Sequence, residues 1–397
     1  MGKRRDEIIE RAQNLPRVRD LAESRLLIQK GQGARLFDAD NVGYIDFTGG
    51  EGSAIVGYAN QYISDAVKKA LSNGIPSGFH SPAEVDLAQN LQQFISWVGS
   101  WYFFRDEDEA FGRALGWARS QTGRSKFLVF GESRPRSAPV RVEDCVVIPG
   151  WDLQAVEAAL GAGRSEIAGV IIDPIMSGRG VIPAPEGMPA RIVQLCRDVG
   201  VLSILDERIT GLRVGRGGAA ELFGVTPDAA IFGGALGGGF QIGALGLANT
   251  VQEPESSIWG GRETPAHPAA LRAADAVLSI LKNDAVFERL EERCLQLVEG
   301  VTVLAERFSR PLRTNHLGSI FAVYASRDDV SDHAHAEASD AGTYQRLVSG
   351  LRKEGILMPQ EARTPAFVSS AHGAKDIEET LGAFERVLLK LHQEDLP

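Results

Sequence analysis

The stretch from Leu205 to Gly211 reads LDERITG, and the stretch from Ile231 to Gly239 reads IFGGALGGG. Each begins inside a short apolar run that is too brief for a helix and is bounded by charges or turn formers. Such runs are typical of buried strands in a parallel sheet, and the helical patterns between them fit crossover connections. The sequence therefore predicts a doubly wound α/β domain with a mostly parallel central sheet between helices. The four runs are Lys126 to Phe130, Gly169 to Ile172, Leu202 to Leu205 and Ala229 to Phe232.

The regions on either side have other patterns. Residues 3 to 30 alternate charged and apolar groups with a helical period, and Ala34 to Phe47 is typical of a hairpin that turns at Asn41 to Gly43. After Asn283 a long amphipathic helix precedes a mixture of strands and helices. We therefore predict an N-terminal segment (1–55), a large α/β domain (56–283) and a small C-terminal α+β domain (284–397). The predicted C-terminal elements are a helix to Phe308, strands at Ser319 to Tyr324 and Phe367 to Ser370, and helices at Thr343 to Glu354 and Asp376 to Leu391.

The composition excludes several classes of protein. The chain has 397 residues and a formal net charge of -10, which argues against a nucleic-acid or anionic-membrane partner. No apolar stretch is long enough to span a bilayer. The three cysteines have no disulfide-framework or metal-ligand spacing, so we expect no metal. A cytoplasmic location is therefore predicted.

The two quoted stretches, together with Phe223 to Asp228 (FGVTPD), resemble the class III aminotransferases of the type I pyridoxal phosphate (PLP) fold. The resemblance is strongest to glutamate-1-semialdehyde aminomutase and runs from about Arg35 to Leu391. It implies the type I fold and a dimer with active sites at a two-fold interface. It also implies that Asp206 is the residue that pairs with the pyridine nitrogen of PLP.

The chain departs from that family at its most important position. The fourth residue of the stretch IFGGALGGG, the second after its apolar run, is the lysine that holds PLP in the family, and here it is Gly234. Glycine can neither form the Schiff base nor carry a proton. Arg208 follows Glu207 where the family has an apolar residue, so its guanidinium could pair with Asp206 and fill the cleft.

The phosphate-binding positions are also changed. Asp106, Glu107 and Asp108 stand where the family holds the phosphate at the start of a helix. They would repel a dianion, although acidic residues also suit the first turn of any helix. Arg134 lies where an aromatic residue stacks on the PLP ring, and Glu263 lies near the threonine that reaches the neighbouring subunit's phosphate.

These departures predict that no cofactor is bound and leave two main functions open. In the first, the charged cleft takes a small polar, amino-acid-like metabolite. In the second, the chain is a non-catalytic subunit that forms a homodimer or pairs with an active aminotransferase. Non-covalent PLP or pyridoxamine phosphate (PMP) chemistry is a third, less favoured alternative. For the first function we predict catalytic roles for Asp206, Arg208, Asp108 and Glu51, and substrate binding by Arg134, Arg136 and Arg208.

Overall fold

The computed structural model describes residues 3–13, 26–75, 78–131, 142–254 and 265–394. Within these ranges the strands form three sheets, of four, seven and three strands. The strands are β1 (Ile28–Gln32), β2 (Arg35–Asp38), β3 (Gly43–Asp46), β4 (Val98–Phe104), β5 (Lys126–Phe130), β6 (Cys145–Ile148), β7 (Ile167–Ile172), β8 (Leu202–Glu207), β9 (Ala229–Phe232), β10 (Gly243–Ala248), β11 (Leu312–Leu317), β12 (Ile320–Ala325), β13 (Ile356–Leu357) and β14 (Ala366–Phe367).

The helices surround these sheets. Most begin at a capping side chain, as Asn60, Ser81, Asp106 and Asp152 show, because these oxygens accept hydrogen bonds from the free N–H groups of the first turn. The α-helices are α1 (Lys3–Gln13), α2 (Gln61–Ser72), α3 (Pro82–Gln92), α4 (Glu107–Thr122), α5 (Leu153–Gly163), α6 (Met188–Val199), α7 (Gly218–Leu222), α8 (Pro268–Leu281), α9 (Ala285–Arg307), α10 (His333–Ala338), α11 (Ala341–Lys353) and α12 (Ala374–Glu394).

The seven-stranded sheet contains the four predicted runs as β5, β7, β8 and β9. Its strand order is β4-β10-β9-β8-β7-β5-β6, and among these strands only β10 runs antiparallel to its neighbours. The sheet is therefore mostly parallel, as predicted. Every residue of β7 is buried, which explains why such a strand shows no alternation of polar and apolar residues.

Side chains on both faces of this sheet enter hydrophobic cores. On β5, Phe127 and Val129 pack with residues of α4, whereas Leu128 and Phe130 join the larger core on the opposite face. This alternation follows from the two-residue period of a strand. Helices on both faces hold the sheet, so the loops at its carboxyl edge start from fixed positions.

The first sheet shows one expectation to be wrong. Residues 3 to 30 were predicted to be helical, but Ile28–Gln32 is the strand β1, paired antiparallel with β2. The predicted hairpin is confirmed: β2 and β3 pair, and Asn41 lies in the turn with a φ of 63°. The C-terminal strand β13 adds to the same sheet beside β3. The proposed domain boundaries remain a prediction.

The predicted C-terminal elements are present in the predicted order, and the structure adds β11, α10 and β13, which were not predicted. The long amphipathic helix is α9, the predicted strands correspond to β12 and β14, and the two later helices are α11 and α12. Among the residues that the structure describes, no helix is long and apolar enough to cross a membrane.

Candidate active site

Four strands of the central sheet end at one edge, and polar side chains lie at the ends of three of them. Asp206 is the penultimate residue of β8, Asp173 directly follows β7, and Gly234 lies two residues after β9. The strand β4 is followed within three residues by α4, whose first residue is Glu107. Ligands of α/β sheets bind at the carboxyl ends of the strands, so this edge is the candidate active site.

A buried ion pair occupies the centre of the site. The Nε and Nη2 atoms of Arg208 donate to Oδ1 and Oδ2 of Asp206 at 2.8 and 2.7 Å, a bidentate arrangement. The Asp206 side chain is 4% exposed and that of Arg208 is 13% exposed. The Arg208 guanidinium also lies 4.7 Å from the centre of the Phe111 ring. The predicted pairing of these two residues is therefore present in the structure.

The acidic residues at the start of α4 each have a partner. Asp106 caps the helix by accepting from the backbone N–H of Glu109 at 2.8 Å. The Oδ1 atom of Asp108 is 3.4 Å from Nη1 of Arg208. Glu109 accepts from Arg105 and Arg113, both at 3.1 Å. Helix capping, one of the two interpretations offered from the sequence, therefore accounts for part of this acidic run.

Glu107 bridges to the glycine loop. Its Oε2 atom accepts from the backbone N–H of Gly234 at 2.9 Å. A side chain on Gly233 would collide with this carboxylate, and a Cβ on Gly234 would lie 2.7 Å from the carbonyl oxygen of Arg208. Gly234 also has a φ of +42°, which L side chains rarely adopt. Lysine could enter position 234 only if the backbone moved.

All nine lysines of the chain lie in the described segments, on elements other than the loops at this edge. Lys126 begins β5, so it lies at the amino end of the parallel strands, where it pairs with Glu166. The loops after β4, β7, β8 and β9 carry no lysine in the segments that the structure describes. The nine lysines are Lys3 on α1, Lys30 on β1, Lys68 and Lys69 on α2, Lys126 on β5, Lys282 after α8, Lys353 on α11, and Lys375 and Lys390 on α12.

Burial raises the pKa of several carboxyl groups around the site. It raises the pKa of Glu107 and of Asp108, and in both cases Arg208 opposes the effect. Burial, reinforced by the charge of Asp206, raises the pKa of Asp173 to about 6. The pKa of Glu207 rises to about 7, again mainly by burial, although Ala219, Ala220 and Thr210 donate hydrogen bonds to it.

The raised pKa of Glu207 predicts a pH-dependent stability. The folded protein holds the Glu207 proton more tightly than the unfolded chain does, because a glutamate has an ordinary pKa of 4.5. The stabilisation is therefore fully present below that value and is lost as the pH rises through about 7. We expect Glu207 to lower the free energy of unfolding by about 3 kcal/mol between pH 5 and 8. Urea denaturation across this range should show the slope in the unmodified protein.

Two variants distinguish the contribution of Glu207 to this pH dependence from that of other titratable groups. Glu207→Gln should reduce the slope, whereas Glu221→Gln, on an exposed residue of α7, should keep it. Asp173 contributes a slope of the same sign near pH 6. An equally steep slope in Glu207→Gln would show that Glu207 is ionised in the folded protein.

The structure brings together only some of the predicted site residues. Asp206, Arg208 and Asp108 meet at the sheet edge, with Asp106, Glu107 and Gly234 around them. Glu51 is exposed in the turn after β3, and none of the described hydrogen bonds joins it to this cluster. Arg134, Arg136 and Glu263 lie outside the described residues. Their roles, and the catalytic roles of the others, remain predictions.

Phe111 and Asp173 are site residues that the sequence analysis missed. Phe111 lies one helical turn after Glu107 and so shares its face of α4, a spacing that could have identified it. Asp173 was not singled out from the sequence. Its position directly after a buried strand was the available signal.

The fold and the position of Asp206 define a class of protein. The Aminotransferase class-III family model matches residues 140–386, and the chain belongs to this family. A relative is glutamate-1-semialdehyde 2,1-aminomutase from Thermomicrobium roseum, 30% identical over 94% of this chain and 93% of that one. The resemblance stated from the sequence is confirmed.

Solved structures confirm the type I fold. An omega-transaminase from Sphaerobacter thermophilus has a TM-score of 0.87 at 25% identity, covering 98% of this chain and 97% of that one. A lysine-to-alanine variant of a glutamate-1-semialdehyde aminomutase from Pseudomonas aeruginosa PAO1, solved in complex with PMP, has a TM-score of 0.84 at 22% identity. The match covers 98% of this chain and 96% of that variant.

The prediction that the chain binds no cofactor is contradicted by these comparisons. The family and the structural neighbours point to PLP or PMP, and the aminomutase variant holds PMP although a lysine has been replaced by alanine. The prediction was wrong because it treated the lysine bond as necessary for retention. Non-covalent contacts to the ring and the phosphate also supply binding energy.

The residues at this edge of the sheet fit PLP or PMP in part. A carboxylate has about four lone-pair sites, and Arg208 uses three on Asp206 through Nε, Nη2 and its backbone N–H. Among the described contacts, Oδ2 of Asp206 therefore keeps a lone pair for a ring N–H. The loop at Gly234 offers no amine for a covalent bond. The site thus fits a ring that is held without covalent attachment.

Proposed function

We propose that this chain binds the B6 cofactor of its family non-covalently, beside a small polar, amino-acid-like metabolite, and does not run a lysine-dependent amino-transfer cycle. One observation carries the proposal: the buried carboxylate of Asp206 is kept at the end of β8, whereas all nine lysines lie elsewhere. When bound, the cofactor supplies an electron-accepting ring and an amine or aldehyde group.

Each described residue has a defined part in this proposal. Asp206 would hold the ring nitrogen, and the bidentate hydrogen bonds from Arg208 orient that carboxylate. The N–H groups in the first turn of α4 would face the phosphate. The carboxylate of Asp108 is drawn towards Arg208, which reduces its repulsion of an anion. Arg134 and Arg136 are proposed, from the sequence, to bind the metabolite's carboxylate.

Titration calorimetry with PMP, and borohydride treatment after incubation with equimolar PLP, test this function. We expect PMP to bind, and Asp206→Asn to weaken binding at least about tenfold because a charge-assisted hydrogen bond is lost. Mass spectrometry after borohydride should find no PLP-modified lysine. A single modified lysine at full occupancy, or no heat of binding with PMP or PLP, would contradict the proposal. Thermal unfolding of Asp206→Asn shows whether that variant is folded.

An apolar surface supports a second proposal, that the chain forms a homodimer. A groove of about 360 Å³ lies along the edge strand β4 and is lined by Val85, Trp101, Phe103 and Phe104, among others. Val85 is 58% exposed, and Phe79, which precedes the lining residue His80 in the sequence, is 71% exposed. Large apolar patches of this kind mark interaction surfaces. A second copy of this chain is the proposed occupant, because the type I fold forms its sites at a two-fold interface.

Light scattering tests the homodimer. The protein is expected at twice the mass of one chain, and Val85→Glu should shift it to the monomer because it buries an unpaired charge. The matched control is Val303→Glu, on α9, where the valine is 62% exposed. A monomeric wild type, or a complex that forms only on mixing with an active aminotransferase, would favour the alternative role as a non-catalytic partner subunit.

We also propose a cytoplasmic location. Cys145, Cys196 and Cys294 form no disulfide in the structure. Burial raises the pKa of the Cys196 and Cys294 thiols, which keeps them unreactive. Thiols in this state are compatible with a reducing compartment.

A further inference from the structure

We propose that Glu107 makes this cleft selective for a ligand that carries a primary amine, and so for the amine form of the cofactor over the aldehyde form. This inference rests on the proposed function and names the form of ligand that the site accepts. The residue acts by pairing its carboxylate with the ligand's ammonium group. The family resemblance places this position near the phosphate, and neither it nor the comparisons assign a role to a carboxylate there.

The position of Glu107 is the first argument. Its carboxylate lies against the loop after β9, where its Oε2 accepts from the N–H of Gly234 at 2.9 Å. The absence of a side chain at Gly233 leaves room for that carboxylate. In the resembled family this loop presents a lysine amine to the cleft. Here it is covered by a group of opposite charge, so the amine must come from the ligand.

The charge balance of the cluster is the second argument. Glu107, Asp173 and Asp206 are carboxyl groups in buried or largely buried positions, and the cation described among them is Arg208. The Nε and Nη2 atoms of Arg208 both donate to Asp206 and are therefore not available to the other two carboxyl groups. Burying an ionised carboxylate without a cation is costly. A ligand ammonium would supply the missing positive charge, and an aldehyde would not.

The hydrogen-bonding capacity of Glu107 agrees with this role. One of its oxygens accepts from Gly234, and a carboxylate can accept several further hydrogen bonds. An ammonium group has three donors. Burial raises the pKa of Glu107, and a ligand ammonium beside it would lower that pKa because it favours the ionised carboxylate.

The test compares three ligands that differ only at one carbon of the ring. PMP carries an aminomethyl group there, PLP an aldehyde, and 4-deoxypyridoxine 5′-phosphate a methyl group. Titration calorimetry at pH 7.5 should show PMP binding at least about tenfold more tightly than the methyl analogue, the effect of one charge-assisted hydrogen bond. In Glu107→Gln this preference should fall to about threefold or less, while the affinity for the methyl analogue is retained or improved.

The controls separate this inference from the proposed function. Glu109→Gln removes a carboxylate from the same turn, but one already held by Arg105 and Arg113, so it should keep the preference for PMP. If Glu107→Gln does not fold, Glu107→Asp, which shortens the reach to the amine, should still reduce the preference. Equal affinities for all three ligands in the wild type would overturn this inference and leave the proposed function standing. Binding of none of them would overturn the proposed function itself.

Discussion

Replacing Arg208 with alanine is expected to lower the free energy of unfolding by about 3 kcal/mol at neutral pH. The substitution removes the bidentate partner of Asp206, whose side chain is 4% exposed. It also removes the contact of the guanidinium with the Phe111 ring. What remains is a buried carboxylate next to Asp173, a group of the same charge. Urea denaturation at pH 7.5 measures the loss.

The same variant should be less impaired in acid. Protonation neutralises the carboxyl groups that Arg208 no longer balances, so the deficit should shrink as the pH falls towards 5. A loss that stays constant over this range would show that Arg208 stabilises by packing on Phe111 rather than by charge. The exposed Arg105, which bonds only the surface of α4 at Glu109, provides the control, and Arg105→Ala should leave stability unchanged.

A double variant tests whether the Arg208–Asp206 ion pair only fills space or also takes part in ligand binding. Arg208→Met combined with Asp206→Leu removes both charges and keeps apolar volume, and such replacements are often neutral or stabilising. We expect it to recover most of the stability that Arg208→Ala loses. The same variant should lose PMP binding, because no carboxylate remains for the ring nitrogen. Retained stability together with retained PMP binding would place the ligand elsewhere.

The sequence predicts the scaffold of this site better than its contacts. The strands after which Asp206 and Gly234 lie could be predicted because buried parallel strands are continuous apolar runs with turn residues at their ends. The pairing of Arg208 with Asp206 could also be predicted from the sequence. The two residues are adjacent to one strand end, and an unpaired charge there would be costly.

Long-range contacts could not be predicted in this way. Glu107 bonds Gly234 across 127 residues, and this contact depends on β4 and β9 ending at the same edge of the sheet. The acidic run from Asp106 to Asp108 was visible, but whether its carboxylates cap the helix or face the cleft is set by tertiary packing. The strand β1 was missed because alternating charged and apolar residues fit a helix as well as an exposed strand.

Arg213 makes further long-range contacts of this kind, and it is buried to 2% exposure. Its Nη1 atom donates to Oγ of Ser319 and to the carbonyl oxygen of Val368, both at 3.3 Å, and Nη2 donates to the carbonyl oxygen of Gly52. The guanidinium lies 4.6 Å from the centre of the Phe367 ring. It therefore ties the turn after β3 to the C-terminal sheet. Burial lowers the pKa of this group to about 9, since no described carboxylate faces it.

Arg213→Met is therefore expected to cost about 4 kcal/mol of unfolding free energy, because it leaves three acceptors on separate segments without their donor. Arg213→Lys should recover only part of this loss, since a single ammonium cannot reproduce the planar fork. The matched control is Arg216→Met, whose guanidinium also stacks on a ring, that of Phe94, but whose ion pair with Asp284 is exposed. That control should cost less than about 1 kcal/mol. Equal losses in the two variants, measured by urea denaturation, would mean that stacking on a ring, rather than the buried hydrogen bonds, is what Arg213 contributes.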